Sequence, residues 1–106
     1  MEGRHSLRIP IRVSAIFSSG HGLGEGTVFN ISTPGCAIES KKALRVGDYV
    51  RLNVYLPDER LLQNVRAAVR WAQGQRFGVE FLRLSEEEQT RLSRLVSDHT
   101  RSKSRS

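Results

Sequence analysis

The sequence predicts a mainly β fold, a small antiparallel barrel or sandwich that ends in one α-helix. Two patterns lead to this prediction. Short segments rich in β-branched, aromatic or alternating apolar residues recur over most of the chain, separated by turns that contain glycine or proline. Near the C-terminus the apolar residues take up helical spacing behind an N-capping sequence. With 106 residues, the chain has the size of one domain with a modest core.

The N-terminal part predicts an arm, a strand and a loop. Residues 1–10 are expected to form a flexible arm, because they offer few apolar anchors and Pro10 disfavours a helix. The first strand is predicted over 11–18, where β-branched and aromatic residues accumulate. The glycine-rich segment 19–24 follows as a hairpin loop. It lacks the Lys-Ser/Thr ending and the following helix of a phosphate-binding loop.

The middle of the chain predicts three more strands. Two short strands are expected over 26–31 and 35–40, with a polar turn between them. After a connection over 41–47, the segment 48–56 alternates between apolar and polar residues, which is typical of a strand buried on one side. Its predicted inner face carries Val50, Leu52, Val54 and Leu56. Its predicted outer face carries Tyr49, Arg51, Asn53 and Tyr55.

Two further strands are predicted before the helix. The inner face of the first is expected to carry Val65, Ala67, Val69 and Trp71, with Arg66 and Arg70 opposite. In the second, Phe77, Val79 and Phe81 share one face. Gly78 lies on the other face, where a glycine weakens a strand unless a bulge or a close backbone approach requires it. Alternation therefore predicts a core position for Trp71, although its indole could also reach the rim of a binding site.

A C-terminal helix is predicted over 85–98. Ser85 and Glu88 form a capping box, and the glutamates of this first turn suit the positive end of the helix dipole. One apolar stripe, which can pack on the sheet, is formed by Leu92, Leu95 and Val96. Residues 99–106 are basic and poor in apolar side chains, so we expect them to be a disordered tail.

The composition narrows the class of partner and the cellular compartment. The net charge is +6, and 14 arginines stand against 3 lysines, a bias that favours planar, forked recognition of anions. Cys36 is the only cysteine, so it forms no internal disulfide and is expected in the core. The sequence shows neither an apolar run long enough for a membrane span nor a signal-peptide core. We therefore expect no membrane insertion and a cytoplasmic location.

The sequence shows no recognisable catalytic or metal-binding set. The three histidines, His5, His21 and His99, fall in the predicted arm, in a loop and near the end of the helix. None stands at a recognisable spacing from a nucleophile or from other metal ligands. We therefore expect no enzymatic activity, no metal and no cofactor.

Two short motifs single out a candidate ligand site. Arg4 and Arg8 form an R-x-x-x-R pattern on the predicted arm. Asn30, Ser32 and Gly35 form an N-x-S-x-x-G pattern in the turn between the second and third predicted strands. In this order, ahead of a run of strands and one helix, the two motifs resemble the signature of the PilZ domain, and the resemblance covers nearly the whole chain.

This resemblance implies a six-stranded antiparallel barrel with a C-terminal helix, which serves as a receptor for the bacterial second messenger cyclic di-GMP. Arg4 and Arg8 can clamp that ligand, because guanidinium groups fork onto phosphate, donate to guanine O6 and N7, or stack on a base. The oxygens of Asn30 and Ser32 can accept hydrogen bonds from the opposite edge of guanine. Gly35 permits a close backbone approach, and with the preceding proline it suits the centre of a type II turn.

Two further positions are weaker candidates for the ligand surface. Gly78 matches a glycine that the family often carries near its ligand, and Trp71 could contact a base. The chain also differs from the usual pattern at two places. Gly3 stands where the family often has another arginine, and Asn30 stands where aspartate is usual. Compared with aspartate, the side-chain amide of Asn30 keeps one acceptor oxygen but lacks the negative charge.

Two alternative functions stay open. A small basic barrel could bind single-stranded nucleic acid, but Tyr49 and Tyr55 are the only outward aromatic residues of its central strand, which argues against that ligand. A PilZ domain that has lost its ligand would be a protein-interaction module, but both motifs are intact here. Because the chain carries no output machinery, signalling would also require a bacterial effector protein, which the sequence does not identify.

Overall fold

The computed structural model describes residues 8–57 and 61–105, with side chains up to residue 99. Its elements are β1 (Ile9–Ser19), β2 (Gly22–Ile31), β3 (Gly35–Glu39), β4 (Tyr49–Tyr55), β5 (Leu61–Gln73), β6 (Arg76–Arg83) and α1 (Glu86–Arg105). All neighbouring strands are antiparallel, and they close into a barrel in the order β1-β2-β3-β6-β5-β4. The predicted six-stranded barrel is confirmed, and the sandwich is excluded.

The core fills the inside of the barrel, as the alternation in the sequence predicted. In β4, Val50, Leu52 and Val54 are buried while Tyr49 and Arg51 are exposed. Fully burying one aliphatic side chain of this kind contributes about 1.5–3 kcal/mol to stability. Across the core the rings of Phe17 and Phe77 meet edge to face, with centroids 5.5 Å apart. Such pairs add roughly 0.5–1.5 kcal/mol beyond their buried area.

Cys36 is a core residue, as predicted. Its side chain is buried in the hydrophobic cluster of the barrel. Burial raises the pKa of the Cys36 thiol to about 12, and the positive charge of Arg8 lowers it in part. The thiol is therefore protonated at neutral pH and acts as a small apolar side chain.

The barrel begins earlier in the chain than the sequence predicted. Ile9 is buried and pairs with Ile31, and Pro10 pairs with Asn30, so the last two residues of the predicted arm belong to β1. Proline is tolerated there because the register between β1 and β2 shifts just after it. Of the other arm residues, Arg8 directly precedes β1, and residues 1–7 lie outside the described chain.

Trp71 is not a core residue, and the prediction that placed it there is wrong. The register between β5 and β6 shifts between Val69 and Trp71. Such a bulge turns the following side chain to the other face of the strand, because side chains alternate with period two. Trp71 is therefore 38% exposed on the outside of the barrel, while Val69 remains inside.

The predicted capping box forms at the start of α1. The Ser85 backbone N–H donates to Glu88 Oε1 at 3.0 Å, and the Glu88 N–H donates to Ser85 Oγ at 3.1 Å. Leu92 and Val96 are buried against the barrel, and Leu95 is partly buried. No helix in the described chain has the length and apolar character of a membrane span.

The helix continues beyond its predicted end at residue 98. It runs to Arg105, through most of the segment 99–106 that the sequence predicted to be disordered. That segment contains no proline or glycine, and its arginines and lysine are good helix formers. Cations also interact favourably with the negative end of a helix dipole. These local preferences favour continuation of a helix that packing has already started.

Candidate ligand-binding surface

One row of residues crosses the outside of the barrel on five neighbouring strands. Its members are Pro10, Asn30, Ala37, Gly78 and Trp71, and each is paired with the next. Residues that pair directly point to the same face of a sheet, so these five form one line on the exterior, called here the outer row. With strands about 4.8 Å apart, Asn30 and Trp71 are separated by three steps, or about 14 Å.

The two sequence motifs meet at one end of the outer row. Arg8 Nη1 donates a hydrogen bond of 2.9 Å to Asn30 Oδ1. The contact joins residues that are far apart in sequence, and Arg8 is exposed on the surface of the barrel. A guanidinium group has five N–H donors, and an amide oxygen has two lone pairs, so both groups retain hydrogen-bonding capacity for a ligand. Arg4, the other arginine of the first motif, lies outside the described residues.

The other end of the outer row is Trp71, whose indole lies directly against the backbone of Gly78. A Cβ placed on Gly78 would lie 2.0 Å from Trp71 Nε1 and 2.5 Å from Trp71 Cε2. The indole therefore occupies the space that any other residue at position 78 would fill. This close approach is the reason for glycine inside β6. Between Gly78 and Asn30, the small side chain of Ala37 is fully covered.

Ser32 holds the turn of the second motif together. Its backbone N–H donates to Gly35 O at 2.8 Å, and its hydroxyl donates to the same oxygen at 3.1 Å. The side chain is completely buried. The tip of this hairpin is Thr33-Pro34, so the predicted type II turn centred on Pro34 and Gly35 is wrong. In agreement, Gly35 is not among the described glycines with positive φ.

Gly35 is required by the packing of two strands. A Cβ at this position would lie 2.1 Å from Val79 O in the neighbouring strand β6. The same hairpin is tied to β6 by a 2.8 Å bond from the Phe81 N–H to Pro34 O. The close backbone approach predicted for Gly35 is thus present. A direct contact of Ser32 or Gly35 with a ligand remains a prediction.

Charged and aromatic groups flank the outer row, and sequence reasoning missed them. The Arg76 guanidinium lies over the Phe29 ring, 5.0 Å from its centroid, and Arg76 Nε is 3.4 Å from Glu39 Oε2. Phe29 follows the buried Val28 and faces outward, and the shift in the pairing of β2 with β3 between Val28 and Asn30 turns Asn30 outward as well. No pattern in the sequence marks this bulge. For Ala37, the only sign in the sequence of a place in the outer row is its small side chain between the core residues Cys36 and Ile38.

Metal binding has no support in the described chain. The residues between 8 and 105 that the structure describes contain no group of three His, Cys, Asp or Glu side chains placed to hold a metal ion. The chemistry that the outer row offers is therefore hydrogen bonding, stacking and charge.

A family model and several solved structures match this chain. The model described as PilZ domain matches residues 2–98. The Bacillus subtilis inhibitor of motility, MotI or DgrA, superposes with a TM-score of 0.79 at 19% identity, over 97% of this chain and 53% of the other. Escherichia coli YcgR, solved in complex with c-di-GMP, gives a TM-score of 0.82 at 14% identity, over 99% and 49%.

A third structure has nearly the length of this chain. The PilZ domain of CeSA from a cellulose-synthesizing bacterium gives a TM-score of 0.67 at 19% identity, over 89% of this chain and 98% of that one. By contrast, the present chain spans about half of the MotI and YcgR chains. No curated protein matches it. At these identities the structural matches establish a common fold.

Proposed function

Because this chain belongs to the PilZ domain family, we propose that it is a receptor for cyclic di-GMP and that the ligand binds along the outer row. The family model covers nearly the whole chain, from residue 2 to residue 98. The observation that carries the proposal is the 2.9 Å hydrogen bond between Arg8 and Asn30, which brings the two motifs into contact. A structural neighbour, YcgR, is described in complex with c-di-GMP, which supports the same ligand here.

Arg8 is the proposed anchor for the negative charge of the ligand. Cyclic di-GMP carries two phosphates and two guanines, and a guanidinium group can bind either of them in a forked manner. The bond to Asn30 orients Arg8 before the ligand arrives, so less side-chain freedom is lost on binding. Arg4 is proposed to bind the ligand from the other side, and Asn30 to accept a hydrogen bond from a guanine N–H donor.

Trp71, Gly78 and Ala37 are proposed to form the aromatic end and the floor of the site. The exposed indole can stack on a guanine, which is worth about 1–3 kcal/mol per base in proteins that bind single strands. Gly78 lies beneath the indole, where any larger residue would displace the ring. Ser32 and Gly35 are proposed to act through the turn, because their contacts fix the hairpin that follows Asn30.

Signal output is proposed to pass through the N-terminal arm. Arg4 and Arg8 flank this segment, so a ligand held by both would order the residues between them. The ordered arm would offer a new surface to an effector protein. We also propose that the protein is a cytoplasmic receptor without enzymatic activity, as its family membership favours.

Calorimetric titration tests the proposal directly. Cyclic di-GMP, GTP and a short single-stranded oligonucleotide are titrated separately at roughly 0.15 M salt, where exposed charges are well screened. We expect binding of the cyclic dinucleotide in preference to both controls. Tighter binding of the oligonucleotide would instead establish the nucleic-acid alternative.

Arg8→Ala distinguishes a defined anchor from a diffuse basic surface. Truncation of a central arginine typically costs about 2 kcal/mol, so we expect about thirtyfold weaker binding. Arg12→Ala is the matched control, because Arg12 is also an exposed arginine of the N-terminal region. It should leave the affinity unchanged, and equal losses in both variants would refute the anchor role of Arg8.

A further inference from the structure

Three arginines form a second row on the outside of the barrel, away from the two motifs. Arg51 of β4 pairs with Arg66 of β5, and Arg66 pairs with Arg83 of β6. All three side chains are exposed and lie on the same face of three adjacent strands. With strands about 4.8 Å apart, this arginine row spans about 10 Å.

Among the residues that the structure describes, the arginine row has no counter-charge. Within the described chain, none of its three members makes an ion pair or a side-chain hydrogen bond. Two other arginines on the exterior of the sheet do have a carboxylate partner. Arg70 Nε lies 2.7 Å from Glu80 Oε1, and Arg76 Nε lies 3.4 Å from Glu39 Oε2. Like charges directly opposite each other destabilise a sheet, so packing of the barrel does not explain the row.

An open pocket adjoins the arginine row. It has a volume of about 510 Å³ and is lined by Arg51 and Arg66, by Ser18 and Ser19, and by apolar groups. Val50 and Ala67 contribute to the lining, and Tyr49 and Leu82 stand at its sides with 71% and 45% of their surfaces exposed. Two exposed apolar side chains beside unpaired positive charge form a mixed surface that another molecule can cover.

We propose that the arginine row and this pocket dock a segment of a partner protein in which carboxylates flank one large apolar side chain. The carboxylates would pair with the arginines, and the apolar side chain would enter the pocket between Tyr49 and Leu82. Arginine and tyrosine are among the residues enriched at protein interfaces. The pocket offers a base only one aromatic ring, which favours a protein segment over nucleic acid.

This docking surface is separate from the proposed cyclic di-GMP site. Both involve β5, but Arg66 and Trp71 are five residues apart along that strand, or roughly 17 Å. The docking proposal can therefore be tested without the nucleotide. Its failure would leave the cyclic di-GMP proposal unaffected, and the reverse also holds.

Fluorescence anisotropy with two labelled peptides tests the docking surface on the full chain. The probes are EEEFEEE and EEEGEEE, which carry the same charge and differ in the central apolar side chain. At about 0.05 M salt we expect the phenylalanine peptide to bind about tenfold more tightly, because burial of its ring adds to the ionic contacts. Equal affinity of the two peptides, or no binding of EEEFEEE, would overturn the proposal.

Two charge-matched triple variants then locate the binding surface. The combination of Arg51→Gln, Arg66→Gln and Arg83→Gln should weaken EEEFEEE binding by about tenfold or more, since three charge contacts are lost. A control triple, which removes the same charge elsewhere, combines Arg12→Gln, Lys41→Gln and Arg94→Gln. It should bind as the unmodified protein does, and an equal loss in both triples would show a diffuse charge effect and refute the surface.

Thermal unfolding and two competitors complete the test. Because the arginine row is a set of opposed like charges, its triple variant should unfold at the same or a higher temperature than the unmodified protein. A lower Tm would assign the row a structural role. The competitors are a single-stranded DNA oligomer and phosphatidylserine vesicles. If either displaces labelled EEEFEEE at a lower concentration than unlabelled EEEFEEE does, the surface belongs to nucleic acid or to membrane, and the proposal is overturned.

Discussion

Gly78→Ala tests whether the aromatic end of the outer row takes part in ligand binding. An added Cβ would lie 2.0 Å from Trp71 Nε1, whereas ordinary contact between such atoms requires about 3.5 Å. The indole must therefore move by about 1.5 Å or rotate into solvent. A base that stacks on this ring contributes about 1–3 kcal/mol, so we expect cyclic di-GMP to bind about fivefold to 150-fold more weakly.

The stability of Gly78→Ala should change much less than its affinity. Gly78 does not have a positive φ, so alanine can adopt the same backbone conformation. Replacing glycine under that condition stabilises by roughly 0.4–1 kcal/mol through the unfolded chain. The cost of displacing the indole is limited, because Trp71 is already 38% exposed and its ring can turn outward. We expect a net change in the free energy of unfolding within about 1 kcal/mol, measured by urea denaturation.

A double-mutant cycle with Trp71→Ala shows whether the effect acts through the ring. Calorimetric titration of the two single variants and the double variant gives the coupling between the positions. If Gly78→Ala acts by displacing the indole, it should have no further effect on affinity once the indole is absent. An undiminished loss in the Trp71→Ala background would refute this reasoning, as would unchanged binding of Gly78→Ala.

Three further predictions concern the arm, the second motif and the core. Asn30→Asp should bind cyclic di-GMP about threefold to tenfold more tightly by calorimetry, because a carboxylate offers two acceptor oxygens and stronger bonds to guanine and Arg8. Weaker binding would show instead that the charge of the carboxylate repels the phosphates. If the arm clamps the ligand, the backbone amides of residues 4–8 should exchange their hydrogens more slowly at saturating cyclic di-GMP. Unchanged hydrogen exchange would contradict the clamp. The pKa of Cys36 is raised to about 12 in the folded state, so above about pH 9 the unfolded state holds fewer protons than the folded state does. The free energy of unfolding should therefore fall between pH 9 and 12. This fall should be smaller in Cys36→Ala, as measured by urea denaturation at each pH, and an equal fall would rule out the thiol as a contributor.

Local patterns predicted much of the fold because they are set by neighbours in the sequence. The alternation over 48–56 places Val50 inside and Tyr49 outside, as observed. The capping box between Ser85 and Glu88 depends on residues of a single helical turn, so it was also readable from the sequence. The apolar stripe of the helix follows from its periodicity in the same way.

Features that depend on strand pairing could not be predicted from the sequence. One inserted residue at a bulge reverses the side chains that follow, and this reversal placed Trp71 outside rather than in the core. The contact of Arg8 with Asn30 depends on the register of β1 against β2. The buried position of Ser32 depends on the hairpin that its own hydroxyl closes. For these residues the motif indicated a site, but the geometry required the assembled barrel.

The closure of the barrel between β1 and β4 also determines how the chain can fold and how it avoids aggregation. Every strand has two neighbours, so no strand is an edge strand along its whole length. Closure requires the first strand to find a strand far along the chain, with Ala15 opposite Val54. Contacts of such large sequence separation form slowly, and domains dominated by them fold in milliseconds to seconds. During that interval β1 and β4 have free edges, so conditions that delay their pairing should favour aggregation over folding.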